Sequence, residues 1–229
     1  MKLHNAIYLL IIFLFLTVLV YPESPDSPEE KISKTFGKEY FVLDPNVKLI
    51  YDSTFGETEC DTRKEGSNYI QEFDGDVFRM LQELQLDSSR MSVVRLEQEL
   101  TLLFITAHSI NVTYSEPAKL VSIPVNKDEK SEWYGLEYVN DRSADTITIT
   151  SEYKGNEIIK TEAGEFDCII LDYMITKKSG RVNRYREWRA PNVGLVQLTA
   201  QVDPSGFVGV MTDIIGIDEI YFRLKEIKS

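Results

Sequence analysis

The sequence predicts a mainly β protein: a single strongly curved antiparallel sheet or a half-open barrel, with a short apolar helix or flap near the C-terminus. Aromatic residues make up 11% of the chain, with 12 Tyr and 11 Phe. Val, Ile and Thr recur in short runs rather than in helical stripes, which suits pleated, half-buried strands. Turn-forming pairs such as Ala163-Gly164 and Ser179-Gly180 separate those runs.

The N-terminal segment predicts export. Ala6–Tyr21 carries no charge and follows Lys2, an order typical of a signal peptide. As a helix it would span about 24 Å, short of the roughly 30 Å hydrocarbon core of a bilayer. The residues before Pro22 lack the small-residue pattern of a cleavage site, and no Cys follows for lipid attachment of the bacterial lipoprotein type. A cleaved signal and an uncleaved membrane anchor formed by residues 6–21 both stay open, and both predict a periplasmic or cell-envelope location.

Three regions follow from composition. Residues 1–21 are predicted to be the export signal or anchor, and residues 22–38 an acidic linker rich in Pro and Ser, because Pro22, Pro25 and Pro28 do not continue a helix. Residues 39–229 are predicted to form the antiparallel β domain. A faint internal similarity adds the interpretation that this domain has two related halves, at about residues 39–110 and 131–229.

The strands are predicted from runs of β-forming residues bounded by turn residues. They are Val47–Glu57, Asn68–Phe73, Phe78–Leu86, Ser92–Leu100, Leu102–Thr106, Trp133–Asn140, Thr146–Tyr153, Glu157–Glu162, Phe166–Thr176, Val182–Arg189, Leu195–Val202 and Glu219–Ile227. Asn111–Lys130 contains Pro117 and Pro124 and is predicted to connect the two halves. Phe207–Gly216 is apolar almost all round and is the predicted helix or flap. Phe166–Ile175 is apolar on both faces, which predicts a strand covered on both sides.

Charge and cysteine content exclude several classes of function. The net charge of -12 repels phosphate backbones, so no nucleic-acid partner is expected. Cys60 and Cys168 are the only cysteines, too few for a disulfide framework or a thiolate zinc site. A Cys60–Cys168 disulfide and two free buried thiols both stay open.

No catalytic or cofactor motif is present in the sequence. His4 lies in the predicted signal, and His108 is predicted to be structural because no partner for it is apparent. Glu97 and Glu99 would lie about 7 Å apart on one strand face, a geometry that glycosidases use, but a solvated strand face is favoured in so acidic a chain. The sequence therefore predicts a protein that is not an enzyme and needs no metal or cofactor.

One basic segment opposes the overall charge. Four arginines fall within nine residues, interleaved with Tyr185 and Trp188: Arg181, Arg184, Arg186 and Arg189. If Arg184 and Arg186 share a face with Trp188, they form a candidate site for a carboxylate or phosphate head group, with the indole packed on an apolar tail. The alternative is that these arginines pair with acidic residues on neighbouring strands.

Two motifs resemble a known group of proteins. Thr161–Cys168 and Trp188–Val196 resemble the "AGxFxC" hairpin and the "WxAPxVGLV" strand and turn of exported bacterial β proteins whose function is not established. The resemblance spans about Trp133–Val202. It implies a fold similar to the half-open barrel of the bacterial lipoprotein carrier and its outer-membrane receptor, in which a sheet wraps an apolar cavity. It transfers no binding residue, since both motifs consist of turn and core positions.

These observations predict a non-enzymatic binding or envelope-assembly module that holds a lipid or another apolar ligand in the concave face of its sheet. The predicted lining is Trp133, Phe166, Ile170 and Trp188 or their strand partners, with Phe207–Gly216 as the cap. An envelope protein is a second predicted partner, and the membrane is a third if the N-terminal segment is retained. The alternative is a structural or interaction protein whose core is filled by its own side chains.

Overall fold

The computed structural model describes residues 35–102, 105–141, 143–201 and 219–228. A single turn of 3-10 helix, Lys38–Tyr40, lies near the start of the first of these ranges. The strands are β1 (Thr35–Phe36), β2 (Lys48–Ser53), β3 (Gly56–Glu65), β4 (Asn68–Gly75), β5 (Phe78–Leu86), β6 (Arg90–Leu102), β7 (Ile105–Ser122), β8 (Val125–Asn126), β9 (Lys130–Val139), β10 (Ser143–Thr161), β11 (Gly164–Lys177), β12 (Val182–Ala190), β13 (Gly194–Gln201) and β14 (Ile220–Lys228). Within the described part of the chain, no helix is long and apolar enough to cross a bilayer.

Twelve of these strands form one closed antiparallel barrel, in the order β10, β11, β12, β13, β14, β2, β3, β4, β5, β6, β7, β9. The remaining two, β1 and β8, pair with each other. The predicted antiparallel β class is confirmed, but the predicted half-open barrel is wrong, because β9 pairs with β10 and β14 pairs with β2. Closure satisfies the backbone groups that an open sheet leaves unpaired at its edges. The predicted cap, Phe207–Gly216, lies outside the described residues.

The predicted strand Val47–Glu57 is instead a tight hairpin between β2 and β3. The Ser53 hydroxyl donates to the carbonyl of Gly56 at 2.8 Å and accepts a hydrogen bond from the Phe55 amide at 3.0 Å. Gly56 has a φ of +89°, a conformation that favours glycine. The Ser53 hydroxyl and Gly56 therefore form a turn that divides an otherwise continuous β-forming run.

The predicted connection Asn111–Lys130 is largely the long strand β7, so that prediction is wrong. Pro117 is accommodated because the β6–β7 register shifts there: Val93 pairs with Ala118, whereas Arg95 pairs with Thr113. Pro117 therefore lies in a bulge, where its missing N–H removes no regular ladder hydrogen bond.

Thr146–Tyr153 and Glu157–Glu162 are likewise one strand, β10, with a bulge where a turn was predicted. The register with β11 shifts between Tyr153 and Gly155, and Gly155 has a φ of +138°. Beyond the bulge the β10–β11 hairpin folds over the outside of the barrel. The Arg223 guanidinium on β14 donates to the carbonyl of Lys160, although β11, β12 and β13 separate β14 from β10 in the barrel wall.

One end of the barrel is covered by the chain segment that precedes β2. We call the end with the β9–β10 and β11–β12 turns the upper rim, and the opposite end, where the chain enters β2, the lower rim. The segment before β2 covers the lower rim: the Phe36 ring stacks on Tyr153 with centroids 5.1 Å apart, and Phe41 is fully buried. The Asn192 amide donates to the carbonyl of Glu39 at 2.7 Å, which ties this segment to the β12–β13 turn. This segment therefore covers the barrel interior from below.

Candidate ligand cavity inside the barrel

A cavity of about 570 Å³ lies inside the barrel, above the packed lower end. It reaches the surface at Asn140 and Arg181, two exposed residues that line it near the upper rim. Small-molecule sites typically occupy about 300–1,000 Å³. The cavity is therefore large enough for a ligand rather than for a few water molecules.

One wall of the cavity is aromatic. Its rings are Tyr51 on β2, Phe55 in the β2–β3 turn, Phe73 on β4, Phe78 on β5 and Phe222 on β14. Phe55 and Phe78 stack with their centroids 4.4 Å apart, and Phe73 meets Phe222 edge to face at 5.8 Å. These side chains point inward, and residues two positions away on the same strands, such as Leu49 beside Tyr51 and Gln71 beside Phe73, line the cavity with them. The wall offers an ordered apolar surface to an apolar ligand.

The opposite wall carries two ion pairs. Glu137 on β9 pairs with Lys177 on β11, and their side chains are only 8% and 18% exposed. Glu187 and Arg189 on β12 pair at 2.7 Å. Burial lowers the pKa of Arg189, but the Glu187 carboxylate and other neighbours outweigh burial and raise it. Both pairs are charge-neutral, so neither adds a net charge to this wall.

Tyrosine hydroxyls extend the polar wall. Burial, with a further contribution from Glu137, raises the pKa of Tyr185 to about 12. Burial also raises the pKa of Tyr114 and Tyr173. The Tyr173 hydroxyl is buried beside Glu187 and Arg189, and both affect its pKa. These groups stay neutral at physiological pH and provide hydrogen-bonding positions that require no counter-ion.

Trp133, predicted to line the ligand site, lies inside the barrel but towards its packed end. It shares a face of β9 with Glu137 and Val139, which line the cavity. Its ring meets Tyr114 edge to face at 5.9 Å and covers Gly135, the residue between Trp133 and Glu137 on that face. Trp133 therefore does not line the cavity but packs against Tyr114, which does.

Phe166, Ile170 and Trp188 are brought together on the outside of the barrel. Glu187 and Arg189 line the cavity, so Trp188 between them points outward, and Ile170 lies directly opposite it on β11. The Trp188 indole N–H donates to the Glu157 carboxylate at 2.8 Å. All three residues pack in the cluster that also contains Cys168 and Ile159 of the folded-over hairpin. The cavity instead uses the alternate residues of the same strands, such as Ile175 and Tyr185.

Arg184 and Arg186 share that outer face with Trp188 and line an outer groove of about 610 Å³. Arg186 forms two hydrogen bonds with the Asp172 carboxylate, at 2.6 and 2.8 Å, and lies 6.0 Å from the Trp188 ring. Arg186 therefore pairs with an acidic residue on a neighbouring strand, as the alternative prediction for these arginines had it. Arg184 has no carboxylate partner in the part of the chain that the structure describes. A head-group role for these arginines stays a prediction.

The other candidate groups do not assemble a reactive site. Cys60 and Cys168 are both free and buried, and burial raises the pKa of both thiols, that of Cys168 to about 12. Glu97 pairs with Arg95 at 2.7 Å and Glu99 with Arg79 at 3.8 Å, so both carboxylates belong to surface pairs. Across the described residues no three His, Cys, Asp or Glu side chains gather as a metal site. The side chain of His108 lies outside them.

The residues that line the cavity are not those that the sequence predicted as its lining. A signal for part of the aromatic wall was present, because Tyr51 and Phe73 alternate with polar residues such as Asp52 and Glu72 along their strands. The Glu137–Lys177 pair had no local signal, since its two residues are 40 residues apart in the chain.

Two solved structures are similar to this chain. One solved structure is that of a candidate lipoprotein from Parabacteroides distasonis, with a TM-score of 0.39 and 16% identity over 85% of this chain and 99% of that one. Another is a candidate exported protein with a YmcC-like fold from Bacteroides fragilis, with a TM-score of 0.43 and 15% identity over 86% of this chain and 100% of that one. No curated protein matches the sequence.

A family model supplies the remaining comparison. It matches residues 128–201, a range that contains both motifs, Thr161–Cys168 and Trp188–Val196. This match confirms the resemblance to exported bacterial β proteins that the two motifs predicted. Over residues 128–201 the chain is similar to the family described as DUF3108-like.

Proposed function

We propose that this chain is an extracytoplasmic, non-enzymatic binding module that holds a lipid or another largely apolar ligand inside its barrel. The observation that carries the proposal is the cavity of about 570 Å³ with an aromatic wall facing a wall of buried ion pairs. An apolar ligand body fits the first wall, and polar groups of the ligand or bound water fit the second.

The size of the cavity supports occupancy. At about 24 cal/mol per Å³, a dry space of 570 Å³ would cost about 14 kcal/mol. That cost equals the whole stability of a typical domain, about 5–15 kcal/mol. Water or a ligand must therefore fill the space. Water is held well by the polar wall and poorly by the aromatic wall, so an apolar ligand that displaces it gains free energy.

The proposed location rests on the N-terminal segment. Ala6–Tyr21 is uncharged and follows a lysine, as in export signals. In that location the ligand, and any protein partner, would belong to the cell envelope. Retention of residues 6–21 would in addition tether the barrel to the membrane that supplies such a ligand.

The test compares a variant inside the barrel with one outside it. Ala200 on β13 lines the cavity, whereas its neighbour Thr199 lines the outer groove. We expect the full-length chain, stripped of bound lipid, to take up an apolar fluorescent probe, and Ala200→Phe to weaken uptake about tenfold by filling space. Thr199→Phe should leave uptake unchanged. The unfolding midpoints of both variants verify that each remains folded.

Two results would overturn the proposal. Uptake of no probe by the wild type, together with no co-purifying ligand in native mass spectrometry of the chain from its own host, would favour the alternative: a structural or interaction protein of the envelope. Equal uptake by Ala200→Phe and the wild type would show that the interior is not the site.

A further inference from the structure

We infer that the cavity selects a single-chain amphiphile with an anionic head group, and that Arg181 at the upper rim binds that head. This inference rests on the proposed function and specifies its ligand. It is carried by the charges that line the cavity, by the position of Arg181 and by the size of the space.

The described charged residues that line the cavity include one cation without an ion-pair partner among them. Among the described residues they are Glu137, Lys177, Arg181, Glu187 and Arg189. Lys177 is neutralised by Glu137 and Arg189 by Glu187. No described carboxylate lies within ion-pair distance of Arg181. Among the described residues, the lining thus has a surplus of one positive charge, located on Arg181, in a chain whose net charge is -12.

The local backbone fixes Arg181 at the mouth of the cavity. Its carbonyl accepts a hydrogen bond from the Lys177 amide at 2.9 Å, which closes the β11–β12 turn. Gly180 has a φ of +89°, and β12 begins at the next residue after Arg181. Asn183 and Tyr185 follow on the same strand face and also line the cavity. A ligand whose head binds Arg181 therefore meets polar side chains first as it extends inward.

An exposed position suits a charged head. Arg181 is exposed, so a carboxylate or phosphate bound there keeps much of its hydration and avoids the large penalty of a buried charge. A charge placed deeper would face ion pairs that are already neutral, and would lose its water without gaining a partner. The head is thus favoured at the rim and the apolar chain along the aromatic wall.

The volume suits one long acyl chain, which a cavity of about 570 Å³ accommodates. The negative field of the whole molecule also disfavours non-specific binding of anions, so affinity for an anionic head requires a local cation.

The experiment measures head-group preference in a single sample. The full-length chain is incubated with equimolar hexadecanoate, hexadecyl phosphate and hexadecanol, and bound adducts are counted by native mass spectrometry. We expect the anionic adducts to exceed the neutral one by about threefold to tenfold, the effect of a solvated charge-assisted contact. The carboxylate and phosphate signals distinguish free fatty acid from phosphorylated lipid as the preferred class.

Two arginine variants locate the preference. Arg181→Gln should reduce the ratio of anionic to neutral adducts to about one and leave the hexadecanol adduct unchanged. Arg184→Gln is the matched control, because Arg184 is also exposed but lines the outer groove. It should leave the ratio as in the wild type.

The possible outcomes separate this inference from the proposed function. Equal anionic and neutral adducts in the wild type, or a preference that survives Arg181→Gln, would overturn the inference while leaving the binding module intact. Loss of the preference in Arg184→Gln alone would move the head-group site to the outer arginine face, again overturning it. No adduct of any kind in the wild type would overturn the proposed function itself.

Discussion

The ion pair between Glu137 and Lys177 allows a direct test of the cavity's polar wall. Glu137→Leu leaves the Lys177 ammonium without its partner at a position where its side chain is only 18% exposed. Breaking a buried pair in this way typically costs about 3–5 kcal/mol. Replacing both partners by apolar residues of similar size, as in Glu137→Leu with Lys177→Met, removes the uncompensated charge and is often neutral or stabilising. We therefore expect the single variant to be strongly destabilised and the double variant to recover most of the loss.

Urea unfolding followed by far-ultraviolet circular dichroism measures these differences. The matched control is the pair between Lys225 and Glu57, which has a similar N–O distance of 2.7 Å but side chains that are 39% and 57% exposed. Glu57→Leu should change the unfolding midpoint far less than Glu137→Leu. The prediction is refuted if Glu137→Leu lowers the unfolding midpoint no more than Glu57→Leu does, or if the double variant is no more stable than the single one. Either result would mean that the wall is solvated.

Two further variants test the tyrosines and the packed end of the barrel. Burial and Glu137 raise the pKa of Tyr185 to about 12, so the folded chain keeps a proton that the unfolded chain loses near pH 10, and the free energy of unfolding falls as pH rises between these values. Tyr185→Phe should flatten that decline by up to about 1.4 kcal/mol per pH unit in urea titrations at pH 9 to 12, and an unchanged slope would contradict this. In Gly135→Ala the added Cβ would lie 2.3 Å from ring carbons of Trp133, so overpacking should cost about 1–3 kcal/mol. The same Ala should cost little in a Trp133→Leu background, whereas additive urea-unfolding losses would show that the ring is not the cause.

Most strands of the barrel were predictable because their signals are local. β5 was predicted with its observed ends, Phe78 and Leu86. Closure was not predictable, since it depends on β14 pairing with β2 and on β9 pairing with both β7 and β10. The β14–β2 pairing joins segments far apart in the chain, such as Phe222 and Ser53, and leaves no periodic pattern in either one. Pro117 and Gly155 were misread for a related reason: a bulge in a long strand uses the same residues as a turn.

Residue alternation located the two faces of each strand but not the barrel interior. The sequence predicted that Phe166–Ile175 is covered on both sides, and this is confirmed for its middle, where the consecutive residues Cys168 and Ile169 are both fully buried, whereas Met174 is exposed. The folded-over hairpin supplies the outer cover, so an apolar residue such as Trp188 lies outside while Glu187 lies inside. Hydrophobicity alone would place these two residues the other way round. Buried charge is acceptable at Glu187 only because Arg189 pairs with it.

The composition of the cavity argues that it is a site rather than a packing defect. A defect would be lined by apolar side chains, and larger ones would fill it with a gain in stability. Here one wall keeps two ion pairs and several tyrosines in a position where apolar residues are often equally or more stable. Proteins depart from such local rules mainly at functional sites. A polar wall placed opposite an ordered aromatic wall therefore supports the proposal of a ligand that has both an apolar and a polar part.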